Sequence, residues 1–85
     1  MTMNDYLQKM EAIVREDCKL HVTGVSYIKC YSYTMVSGNI EAHFDVGNVA
    51  NYLYLYDVIY NQESNQFCVY MYRLEDMFVV DNVTD

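Results

Sequence analysis

The apolar residues of this chain follow two different periods along its length. Met3, Leu7, Met10 and Val14 recur at three- and four-residue intervals, with Tyr6 and Ile13 widening the stripe. That is the pattern of a helix burying one face. Thr2 or Asn4 can cap its start, and Asp5 sits where the helix dipole favours negative charge. Glu11 and Arg15 form a favourable pair one turn apart. The spacing predicts a helix over residues 3–17.

Beyond Lys19 the period falls to two. Residues 19–23 read as a short strand ending at Gly24. Residues 26–36 read as a long one, with Tyr27, Lys29, Tyr31, Tyr33 and Met35 on one face and Ile28, Cys30, Ser32, Thr34 and Val36 on the other. Ser37-Gly38-Asn39 is a turn signal. The cleanest alternation follows: Ile40, Ala42, Phe44 and Val46 point to a core, while Glu41, His43 and Asp45 point away.

After Gly47-Asn48, residues 49–60 fit two templates. As a strand, Tyr52, Tyr54, Tyr56, Val58 and Tyr60 share one face and Leu53, Leu55, Asp57 and Ile59 the other. As a helix, Val49, Tyr52, Leu53, Tyr56 and Tyr60 make a stripe. Tyrosine density favours the strand, as does the hairpin-like Asn61–Asn65. A return strand Gln66–Leu74 and a short last strand Met77–Val80 complete the pattern. Apolar residues on both faces of 52–60 and 66–74 point to central strands. The expectation is an α+β fold in a single domain over residues 1–85. One N-terminal helix packs on an antiparallel sheet of about four to five strands.

Composition narrows what such a domain can do. A chain of 85 residues buries only roughly 60–65% of its unfolded surface, which leaves little volume for a deep cavity. The net charge is −7, and it is carried unevenly. Residues 1–40 balance Asp5, Glu11, Glu16 and Asp17 against Lys9, Arg15, Lys19 and Lys29, whereas residues 41–85 set eight acids against Arg73. Direct nucleic-acid binding needs cations that replace condensed counterions, and an anionic membrane repels the same half. Neither is an expected partner. The three cysteines make no even disulfide set. The first residues lack the basic start and apolar run of an export signal, and no apolar run approaches the roughly 20 residues of a membrane span. A cytoplasmic location is expected.

Candidate chemistry is sparse. No glycine-rich phosphate loop, G-x-S-x-G or H-E-x-x-H occurs. Cys18-x2-His21 with Cys30 and His43 has the ligand types of a zinc site, but the second pair falls on different strands. Cys30 reads as a small buried hydrophobe, and His43 as part of the solvent-facing Glu41-His43-Asp45 run. Glu75 and Asp76 are adjacent, so on a strand they face opposite ways. No catalytic residue, metal ligand or cofactor is assigned, and a small metal-binding or nucleotide-processing enzyme ranks last among the readings.

What remains is ten tyrosines beside a one-sided acidic charge. Tyrosine joins apolar area to a polar tip and is enriched in interfaces. Carboxylates two residues apart on a strand lie roughly 6.5–7 Å from one another, comparable to neighbouring phosphates; Glu41 and Asp45 stand at twice that spacing, with His43 between them. The candidate partner-binding residues are Glu41, Asp45, Tyr52, Tyr54, Tyr56, Asp57, Tyr60, Glu63, Glu75 and Asp76. In size and charge the chain resembles the general run of small phage-encoded inhibitors, which includes anti-CRISPR proteins and other DNA-mimicking antagonists. That likeness is compositional and no motif carries it. It implies a stoichiometric inhibitor or adaptor of a basic, nucleic-acid-handling protein in the host cytoplasm. A homodimer closed by a tyrosine-rich face is the alternative.

Overall fold

The computed structural model describes residues 2–74. One helix, α1 (Met3–His21), precedes four strands: β1 (Val25–Val36), β2 (Asn39–Asn48), β3 (Leu53–Asn61) and β4 (Gln66–Leu74). The strands form one antiparallel sheet in the order β1-β2-β3-β4, with α1 packed on one face. This is the expected α+β architecture, with four strands among the described residues. The expected strand 77–80 lies outside them.

The helix begins at a capping box. The Thr2 hydroxyl accepts from the Asp5 amide, and the Asp5 carboxylate accepts from the Thr2 amide. Its end differs from the expected one. Residues 19–21 continue the helix and residues 22–23 leave it, so the short strand over 19–23 does not form. The reason is packing: Met10, Val14, Cys18 and Val22 are all buried and spaced by four. That spacing extends the apolar stripe by another turn and leaves Leu20 in solvent.

Three short connections set the register. Ser37 and Gly38 both have positive φ, at 51° and 82°, and join β1 to β2 as a two-residue turn whose twist suits a hairpin. The β2–β3 connection folds around buried Asn48, whose side-chain oxygen accepts from the amides of Ala50 and Tyr52. In the β3–β4 loop, the Tyr60 hydroxyl donates to Asn65 Oδ1 at 2.6 Å.

The helix-side core contains Ile40, Ala42, Phe44 and Val46 from β2, Tyr54, Tyr56, Val58 and Tyr60 from β3, and Met10, Val14 and Cys18 from α1. Residues 53–61 are a strand, as favoured. Tyr6 packs on Tyr60 at 4.9 Å between ring centroids, and Tyr60 on Phe67 at 4.7 Å. Strand β3 is central, but β4 lies at the sheet margin among the described residues. Its apolar residues on both faces reflect an aromatic outer surface instead of burial between two strands.

Strand β1 departs from strict alternation. The register shifts between Cys30 and Ser32, after which Tyr33 pairs with buried Ala42 and Met35 with buried Ile40. Directly opposed residues of an antiparallel pair share a face. Tyr33 and Met35 therefore stand on the helix side, not with Tyr27, Lys29 and Tyr31 as simple alternation implies. An irregularity of one residue is what moves them.

Candidate functional site: the open face of the sheet

Helix α1 covers one face of the sheet, and no described element covers the other. The pairing register lays out this open face row by row. Lys29, Asp45, Leu55 and Tyr72 form one row; Ser32, His43, Asp57 and Tyr70 the next; Thr34, Glu41, Ile59 and Cys68 the third. Tyr27 lies over the Gly47 backbone, so close that a Cβ at residue 47 would fall 2.2 Å from the ring. That close approach requires glycine.

The arrangement has a clear lateral order. Tyr27 and Tyr31 stand on the β1 side, Tyr70 and Tyr72 on the β4 side, and each is about half exposed. Between these aromatic flanks, β2 and β3 carry Glu41, Asp45 and Asp57. Asp57 is opposite His43, diagonal to both other carboxylates, and diagonal neighbours across an antiparallel pair lie about 7–8 Å apart. Leu53, Leu55 and Ile59 fill the strip between them and are half-buried.

His43 ties this strip together. Its Nδ1–H donates to Asp57 Oδ1 at 2.6 Å, and its ring lies 5.9 Å from that of Tyr31. The Tyr31 phenol is raised above its ordinary value by desolvation against the sheet and by the charges of Asp57 and Asp45. The carboxylates thus act on the aromatic flank beside them.

Histidine, aspartate and Ser32 in one row have the residue types of a nucleophilic triad. The geometry does not complete one: no hydrogen bond joins Ser32 to His43 among the described residues. Nor do the described Cys18, His21, Cys30 and His43 gather into a metal set. No cluster of three or more His, Cys, Asp or Glu suited to a metal occurs among the described residues. Cys18 and Cys30 thiols are both raised by burial, which opposes the thiolate needed for nucleophilic or metal chemistry.

A second polar cluster fastens the helix to the sheet. The buried Tyr56 hydroxyl donates to Asp17 Oδ2 at 2.7 Å, and His21 Nδ1 lies 3.1 Å from the same oxygen. Burial first, then the bond to Asp17, pushes the Tyr56 phenol far above its ordinary value. A phenol held neutral in this way is a structural tether.

The structure divides the residues nominated from sequence. Glu41, Asp45 and Asp57 come together on the open face. Tyr54, Tyr56 and Tyr60 do not: all three are buried beneath α1, because β3 turns that side to the helix. Tyr52 lies in the β2–β3 connection, with the Arg73 guanidinium 4.7 Å from its ring centroid, and Glu63 is exposed in the β3–β4 loop. Glu75 and Asp76 lie outside the described residues. Sequence reasoning missed Tyr70, Tyr72 and the His43–Asp57 pair as parts of the site.

Compared with protein-family models, curated proteins and solved structures, the chain matches none. The open face itself therefore carries the functional argument. Among the described residues, no helix is long and apolar enough to cross a membrane.

Proposed function

We propose that this protein is a non-catalytic binding domain whose open sheet face docks a basic protein. The observation that supports this reading is the order of that face: three carboxylates in a central strip, flanked by half-exposed tyrosines. A lysine or arginine side chain entering the strip meets carboxylates for charge-assisted hydrogen bonds and aromatic rings for cation–π contact. Leu55 and Ile59 offer apolar area to its stem. Negative charge elsewhere on the chain steers such a partner at long range.

In its finer form the proposal is a stoichiometric inhibitor or adaptor of a nucleic-acid-handling protein, because the surfaces that bind phosphates are the common basic ones. A cytoplasmic setting suits Cys18, Cys30 and Cys68, which are all free thiols. The test compares capture from native-cell lysate, at low and high salt, by the wild type and by the Glu41→Lys/Asp45→Lys variant. The reading expects basic proteins retained by the wild type at low salt and lost by the folded variant. Equal capture by both proteins contradicts it.

A further inference from the structure

Among the described strands β1 is the longest, with 12 residues, and its outer edge has no neighbouring strand among the described residues. An unpaired edge offers a row of amide and carbonyl groups to another chain. Natural proteins usually blunt it with charges, prolines or bulges. The first part of β1 is blunted in this way, by Lys29 and by register shifts between Val25 and Tyr27 and between Cys30 and Ser32. The second part is not. From Ser32 to Val36 the register runs unbroken against His43 to Asn39, with no charge and no proline. Tyr33 and Met35 oppose the buried core residues Ala42 and Ile40, yet they are 54% and 58% exposed.

We propose that a second copy of this chain pairs antiparallel with Ser32–Val36, joining the two sheets edge to edge into one continuous sheet. Charge identifies the occupant. The described carboxylates lie on α1, β2, β3 and the β3–β4 loop, and β1 has none. Two molecules of net charge −7 repel across most of their surfaces, and this edge lets them meet without opposing carboxylates. A basic partner gains no ion pair there. A two-fold axis at Thr34 sets Thr34 against its copy, Ser32 against Val36, and Tyr33 against Met35, an aromatic–thioether contact. It also separates the two Lys29 residues by about 30 Å along the strands. Both helices then lie on one side, and the two open faces run together on the other.

This pairing does not rest on the basic-partner reading, and salt separates the two. Screening the repulsion between copies tightens the dimer, whereas it weakens docking of a cationic partner. The experiment is sedimentation equilibrium of the full chain, from low micromolar to near-millimolar concentration, at two salt levels. A dimer strengthened by salt is expected. Met35→Glu, an exposed substitution that sets carboxylates near the seam, raises the dissociation constant at least about tenfold while far-UV dichroism is unchanged. Thr34→Cys in a Cys30→Ser/Cys68→Ser background forms an intermolecular disulfide on mild oxidation, since directly opposed Cα atoms lie about 4.5–5.5 Å apart. Tyr70→Cys in the same background does not. A monomer throughout the range overturns the proposal. So does a dimer that tolerates Met35→Glu, or one that cross-links through residue 70 instead of 34.

Discussion

Tyr56 has no exposed surface, yet its hydroxyl reaches Asp17 on α1, so one side chain joins the core to the helix through a polar bond. A hydrogen bond to a charged acceptor contributes about 1.5–3 kcal/mol, and Tyr56→Phe should lower stability by about that much in urea unfolding. The same residue sets an alkaline limit. In the unfolded chain its phenol ionises near the ordinary value of 10.0, while in the folded protein it stays neutral well above that. Its contribution is complete below the unfolded value and is lost as pH rises beyond it. Urea midpoints measured from pH 8 to 11 should fall above about pH 10, and less steeply in Tyr56→Phe. An equal slope in both proteins contradicts the assignment. Phe44 is the apolar counterpart. It is buried on β2, and Phe44→Ala should cost about 3–5 kcal/mol in the same unfolding measurement. Phe44 was legible from sequence because β2 alternates without interruption. Tyr56 was legible only as one member of a tyrosine row. Nothing in that row showed that α1 covers it, since a tyrosine suits a core and a surface equally well.

At the scale of elements, periodicity located β1, β2 and β4, tyrosine density decided β3, and the short strand expected over 19–23 gave way to the helix. The helix continues through residues 19–21 because Cys18 and Val22 prolong the buried stripe, a signal present in the sequence but overlaid by a local alternation. The shift between Cys30 and Ser32 left no such trace. Strict alternation therefore misplaced Tyr33 and Met35, and with them the exposed corner of β1. The His43–Asp57 pair follows directly once the β2–β3 connection is fixed by Asn48, but the ambiguity of residues 49–60 hid that register. Two element-level outcomes follow from these contacts. Thr2→Ala removes one half of the capping box and should cost about 0.5–2 kcal/mol in thermal or urea unfolding. Glu41→Lys/Asp45→Lys alters only the open face and should cost less than about 1 kcal/mol. A much larger loss would mean that the solvent side of β2 supports the fold.

On the scale of the whole molecule, the helix packs on one face of the sheet, and no described element covers the other. Size, acidity and the α+β class could be read from the sequence. The lateral order of the open face could not, because it arises only when residues from four strands are brought side by side. NMR titration of the isotopically labelled protein with an arginine-rich peptide at low salt probes that lateral order residue by residue. Backbone shifts should concentrate on Lys29, Tyr31, Glu41, His43, Asp45, Asp57, Tyr70 and Tyr72. They should shrink at high salt and be lost in Glu41→Lys/Asp45→Lys. Shifts centred instead on the helix carboxylates Asp5, Glu11 and Glu16, or spread evenly over every acidic residue, would contradict the account.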